Sequence, residues 1–223
     1  MKMNRKEFMK TVGIAGTAFV LGGQAAMSSL AQENAGPQKN ASSIELPTPQ
    51  KEGGRPLFDM ISQRQSNRLY ADTPVKLQDL ADLLWVAFGF NRPDMRVIPT
   101  ANNKQELDVY AILKEGVYHY EPAENKLTLI TAGDHRLSAG KQDYVHNTPV
   151  NFFYVNDDTK SGGGGSFLAA GCAIQNVYLA CTSKGLSCVI RQNYDHEPLR
   201  QLMKLNDKQH LLAAQTIGYK GKE

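Results

Sequence analysis

The chain has 223 residues, 41% hydrophobic and 21% charged, a balance that suits one well-buried core and excludes the collagen-like, disordered and disulfide-dense classes. Its formal charge of +3 is concentrated in the first 31 residues, where Lys2, Arg5, Lys6 and Lys10 face only Glu7. The remainder is balanced, so it offers no clustered positive charge of the kind nucleic acid requires.

Residues 1–31 read as an export signal. A basic stretch ends at Lys10, an apolar run rich in Ala and Gly starts at Thr11, and Ser29 and Ala31 supply an A-x-A-like cleavage context. Gly22, Gly23 and Gln24 break the run before the ~20 apolar residues a membrane span requires. Asn4-Arg5-Lys6-Glu7-Phe8-Met9-Lys10 resembles a twin-arginine leader with Lys6 where the second arginine belongs, and the general secretory route stays open beside it. Both routes predict an exported, periplasmic protein. Residues 32–56 are rich in Pro, Gly, Ser, Gln and Asn without apolar period, and read as a flexible linker.

The folded domain is expected over 57–223. Leu57, Phe58 and Ile61 predict a short amphipathic helix running towards Asn67. Leu77, Leu80, Ala81, Leu84 and Phe88 repeat at helical spacing, with Gly89 to end that helix. Strands are predicted at 107–113 and 117–120 around a Lys114-Glu115-Gly116 turn, then at 127–131 and at 150–155, the last apolar enough for a central position. The four glycines within 161–166 form a loop that lacks the Lys-Ser/Thr of a P-loop. Residues 167–184 predict the longest helix, apolar over most of its surface and so a buried core helix, ended by Gly185. A strand at 186–191, a helix at 197–205 and a strand at 211–219 complete an α+β domain with a mostly antiparallel sheet flanked by helices. Cys172 and Cys181 fall on opposite faces of the long helix, about 13 Å apart along its axis, and with Cys188 they make an odd set of free thiols.

Three clusters can carry chemistry. In Arg64-Gln65-Ser66-Asn67-Arg68-Leu69-Tyr70, continued helix would put Arg64 and Arg68 on one face at i, i+4, forming with Ser66 a grip for a phosphate. Alone, the cluster reads equally as a solvated helix end. Pro99-Thr100-Ala101-Asn102-Asn103-Lys104-Gln105 offers side-chain amides that both donate and accept, or simply a polar turn before a strand. Gln175-Asn176, polar within an apolar helix, is a structural crosslink or lies near a ligand. The five histidines lack metal-ligand spacing, and no nucleophile elbow or dinucleotide fingerprint occurs.

Taken in order, these segments resemble the nitroreductase family, and within it the branch of azoline-oxidising (SagB-type) dehydrogenases. Arg64, Gln65, Ser66, Arg68 and Tyr70 match the motif R-R-S-x-R-x-F, and Pro99, Thr100, Ala101, Asn103 and Gln105 match P-S-A-x-N-x-Q. Residues 83–93 resemble the branch's L-L-W-A-A-x-G-x-N-R-P segment, and Gly133-Asp134-His135-Arg136, the Gln175-Asn176 helix and Gln215-Thr216-Ile217-Gly218-Tyr219 follow in family order. The resemblance implies an FMN-dependent oxidoreductase, working as a homodimer with flavin at the subunit interface. It implies that Arg64, Ser66 and Arg68 hold the phosphate and ribityl chain, with Lys220 or Lys222 adding charge. Pro99, Thr100, Ala101 and Asn103 would approach the ring from the other subunit, and the backbone near Gln192 and Asn193 would face its reactive edge. NADH or NADPH would supply hydride for a small acceptor such as a nitroaromatic or quinone, and no catalytic side chain is demanded. Gln65, in place of an arginine, and Gln192-Asn193, in place of glycine, depart from the pattern. They leave open a non-catalytic flavin-binding or redox-sensing module; the branch also leaves open a peptide azoline dehydrogenase, against which the export leader argues.

Overall fold

The computed structural model describes residues 42–162 and 167–222. The signal segment, the first part of the expected linker and most of the glycine run lie outside the described residues. In chain order the elements are β1 (Ser43–Glu45), α1 (Leu57–Gln63), α2 (Leu77–Phe88), β2 (Phe90–Arg92), β3 (Met95–Arg96), β4 (Leu107–Leu113), β5 (Gly116–Glu121) and β6 (Lys126–Ala132). There follow α3 (Asp143–His146), β7 (Val150–Asp157), α4 (Asp158–Ser161), α5 (Phe167–Lys184), β8 (Leu186–Arg191), α6 (His196–Leu202) and β9 (Gln209–Tyr219). Seven strands form one antiparallel sheet in the order β1-β6-β5-β4-β7-β9-β8, while β2 and β3 pair as a separate ribbon. This is the α+β architecture expected from the sequence.

The sheet is covered on both faces, which explains why β7 reads as a continuous apolar run. Phe152 and Tyr154 point into the core shared with α2 and α5, and Phe153 and Val155 into a second core with Val145, Leu199 and Met203. All four β7 side chains are fully buried. Strand geometry alone sends alternate residues to opposite faces, so a strand with two dry faces has no polar positions to show. The buried amide of Gln215 finds its partners here: it accepts from Tyr154 Oη (2.6 Å) and donates to the Ile174 carbonyl (3.2 Å) and Cys188 Sγ (2.9 Å).

α5 packs on α2 through Ala169, Ala170, Ala173, Ile174 and Val177, small residues that let the backbones approach closely. Its burial is one-sided. Phe167 and Leu168 stand 61% and 87% exposed, and Gly171 and Gln175 continue that open stripe. Of the polar pair, Asn176 is the structural crosslink, donating to the Val86 carbonyl of α2 (3.1 Å), while Gln175 faces the open side. The helix ends where Gly185 takes φ +71, a left-handed conformation that costs glycine nothing. Cys172, Cys181 and Cys188 are free thiols, as expected.

The linker expected over residues 32–56 is corrected from Ser43 onward. β1 pairs with β6, Ile44 opposite Leu127, and Ile44 and Leu46 are both buried. The Asn125 amide donates to the carbonyls of Leu46 (2.9 Å) and Pro47 (3.1 Å), and Asp82 accepts from the Gln50 amide (2.8 Å). Two alternating apolar residues are too short a period to register in a sequence window, but an open sheet edge selects them.

At the opposite side of the meander, His119 of β5 lies 2.8 Å from Glu121 and 3.8 Å from Asp108, which Lys160 also approaches to 3.0 Å. Burial alone would lower the imidazole's pKa; the two carboxylates outweigh it, and the net direction is upward. Burial likewise opposes ionisation of Asp108, but His119 and Lys160 bring its pKa below the ordinary value. The raised histidine contributes stability in full below its unfolded pKa and loses it as pH rises through the folded one. The lowered aspartate contributes above its unfolded pKa and loses it as pH falls through the folded one. The pair therefore stabilises most between pH ~4 and ~6.5. Urea unfolding should show His119→Gln losing about 1 kcal/mol at pH 5.5 and much less at pH 8; an equal loss at both would exclude the ionic contribution.

Candidate functional site

α1 stops at Gln63. Arg64 leaves the helix with φ −58 and ψ 124, so the helical i, i+4 pairing of Arg64 with Arg68 is corrected: residues 64–69 belong to neither helix nor strand. The reason lies in what the segment covers. β8 is an edge strand, and its outward backbone groups need partners; the Asn67 amide donates to the Cys188 carbonyl (3.0 Å), and the Ile190 amide donates to Tyr178 Oη (2.8 Å). A helix could not lie flat enough to make that contact.

Tyr178 of α5 organises the segment. Its hydroxyl lies 2.9 Å from Ser66 Oγ, and the Arg64 guanidinium sits over its ring at 5.1 Å. Tyr70 continues the run, pairing with Lys220 just beyond β9. The result is a cleft of about 630 Å³ whose wall includes Arg55, Arg64, Gln65, Asn67, Ser187 and Lys220. Among the described residues that line it are three cations and no carboxylate. Ser187 is 2% exposed and its Oγ has no hydrogen-bond partner. A hydroxyl donor buried without an acceptor, beside three cations, is suited to an anion with several oxygens.

The expected site residues are thus divided. Arg64, Gln65 and Lys220 line the cleft, and Ser66 stands beside it, engaged with Tyr178. Arg68 is exposed on the same segment and does not line the cleft. Pro99, Thr100, Ala101 and Asn103 lie in the turn between β3 and β4, a separate part of the fold within one chain. That turn is held from inside: Asn103 Nδ2 and Gln105 Nε2 both donate to the Asp94 carbonyl (3.0 and 2.8 Å), and Thr100 Oγ1 accepts from the Gln105 amide (3.1 Å). Asn102, Asn103 and Gln105 all take positive φ, a concentration of left-handed backbone that needs this crosslinking to persist. Gln192 and Asn193 follow β8. The Gln192 side chain turns back to donate to the Leu212 carbonyl (2.8 Å), and the Asn193 carbonyl accepts from the Lys141 amide (3.2 Å).

Besides Ser187, one position of an expected strand, Arg55 is a cleft residue that sequence reasoning missed. It lay inside the expected linker, and only the fold turns it to Gln63 Oε1 (2.7 Å) and sets its backbone amide on Ser183 Oγ (3.3 Å). Among the described residues no group of His, Cys, Asp or Glu could hold a metal ion, and no helix is long and apolar enough to cross a membrane.

The sequence model of the nitroreductase family matches residues 61–219, a family that supports assignment to the oxidoreductases. The chain belongs to the nitroreductase family. A nitroreductase-like protein of Methanocaldococcus jannaschii is 28% identical over 74% of this chain and 91% of its own. A solved nitroreductase-like structure from Ralstonia eutropha is 30% identical with a TM-score of 0.75, covering 86% of this chain and 99% of that one. At 16% identity the likeness is of fold alone for a chain of the Escherichia coli microcin synthetase complex, with a TM-score of 0.60 over 97% of this chain and 87% of that one.

Proposed function

We propose that this protein is an exported, FMN-dependent oxidoreductase, active as a homodimer, that takes hydride from a reduced nicotinamide and passes it to a small acceptor such as a nitroaromatic or quinone. The observation that carries the reading is the acid-free cleft of Arg55, Arg64 and Lys220 with the unpartnered hydroxyl of Ser187. That donor set fits a phosphate monoester: forked guanidiniums for paired oxygens, an ammonium as a point charge, and a neutral O–H that can rotate to the remaining one. FMN supplies the two-electron chemistry when bound.

The chain's own part is to bind and orient. Arg64 is braced on Tyr178 and Arg55 on Gln63, so neither guanidinium loses much freedom on taking up an anion. The edge of β8 gives the cleft a wall on which the Cys188 carbonyl and the Ile190 amide already have partners. Pro99, Thr100, Ala101 and Asn103 sit in a hydrogen-bonded turn that does not line the cleft of their own chain, which is consistent with service to a partner's site. The open apolar residues Phe58 and Leu168, 82% and 87% exposed, fit a second copy of the chain. The departure at Gln192 has little consequence for access in this reading, because its side chain is folded onto β9.

Purified protein should be yellow, and the colour should bleach under NADH or NADPH. Yellow protein that never bleaches with either favours a non-catalytic flavin module. Colourless, monomeric protein indifferent to added FMN ends the proposal.

A further inference from the structure

Arg191 closes β8 and is only 6% exposed, yet among the described residues no carboxylate pairs with it. Its guanidinium donates to Thr216 Oγ1 (2.6 Å), Asn151 Oδ1 (2.7 Å) and the Ala139 carbonyl (2.5 Å), and lies 5.6 Å from the Phe153 ring. All are neutral groups. The ionisable groups that face it are the phenols of Tyr144, Tyr70 and Tyr194. Burial brings the guanidinium down to about 10, still charged at neutral pH, and holds Tyr194 up at about 12 and Tyr70 well above its ordinary range, so neither phenol supplies a counter-charge.

A buried charge without a partner is costly, and the fold is shaped to keep this one. A Cβ at Gly140 would stand 2.5 Å from Arg191 Nη1, so glycine is needed where the turn passes over the guanidinium. Asn151, fully buried, gives its oxygen to both Arg191 and Thr216 (2.8 Å), leaving its own Nδ2 without a partner. Aspartate has the same shape, would remove that orphaned donor and would neutralise the charge. The amide instead leaves a positive centre uncompensated. Directly after Arg191 come Gln192 and Asn193, and the same arginine grips Ala139 while Lys141 holds the Asn193 carbonyl, so both passes of chain at this exit are pinned to it.

We propose that Arg191 is a positioning residue that holds an uncompensated positive charge behind the segment 192–193, where it stabilises the negative charge the flavin ring acquires on reduction; this rests on the flavin reading above. Hydride from a dihydronicotinamide carries two electrons and one proton: the donor becomes the nicotinamide cation and the ring is left with one negative charge. A cation held fixed by buried neutral groups acts on such a charge through its field, without contact.

Redox titration of the flavin-loaded protein tests this. Asn151→Asp places a carboxylate on Arg191 without changing volume, and should shift the midpoint potential to more negative values while flavin stays stoichiometric. Arg191→Met should shift it the same way, and Arg191→Lys, which keeps the charge, should restore most of the wild-type value. A structural role alone would leave the Asn151→Asp potential where it was, so stoichiometric flavin with an unmoved midpoint in that variant overturns the inference by itself. Should Arg191→Met fail to fold, Asn151→Asp still decides. Wild-type protein that takes up no FMN overturns the cofactor reading and this inference together.

Discussion

Arg64→Ala combined with Arg68→Ala is expected to weaken FMN binding by at least ~100-fold while the protein stays folded. A charge-assisted hydrogen bond to phosphate contributes about 1.5–3 kcal/mol, and each 1.4 kcal/mol is about tenfold in affinity. The two arginines do not share that loss equally. Arg64 lines the cleft and is braced over Tyr178, whereas Arg68 is exposed and outside the lining. Arg68→Ala alone should therefore cost about tenfold or less, and Arg64→Ala most of the combined effect. Neither side chain belongs to a core cluster, so thermal stability should fall by no more than about 1 kcal/mol, the size of a lost cation–π contact. Fluorescence titration with FMN measures the affinity. Tight, stoichiometric binding by the double variant would remove the phosphate assignment.

Phe58→Asp with Leu168→Asp should convert the proposed homodimer to monomer and release flavin with it. Among the described residues these are the most exposed large apolar side chains, on α1 and at the start of α5. In a symmetric dimer each substitution occurs twice, so four carboxylates would enter an apolar interface. Burying an unpaired charge costs several kcal/mol, enough in sum to move a micromolar dimer well beyond accessible concentrations. The folded chain itself should be unaffected, since both residues already face solvent within one copy. Sedimentation would show the monomer, and absorbance the lost flavin. A doubly substituted protein that remains dimeric and yellow would place the interface elsewhere.

These two expectations differ in how legible they were. Arg64, Ser66 and Arg68 were visible as a motif, although the helical spacing expected for them does not occur and, of the three, Arg64 alone lines the cleft. The residues are kept together by an extended run along the edge of β8. Tyr178, on which that run is built, carried no signal of its own: a tyrosine in an apolar helix is first of all a core residue. Arg55 was hidden by its neighbours' composition. Arg191 read only as the last residue of a strand.

Local periodicity and turn chemistry determined the helices of α2 and α5, the meander, the end of α5 at Gly185 and the family motifs, because each depends on neighbours within a turn or a hairpin. Only the tertiary structure decided that β1 joins the sheet, that α5 is buried on one side, that Arg55, Arg64, Ser187 and Lys220 share a cleft, and that among the described residues no carboxylate pairs with the buried Arg191. Those facts depend on which distant segments meet, and the loss of solvent at such meetings, which turns an ordinary arginine or serine into a strained or directed one, leaves no mark on the local pattern.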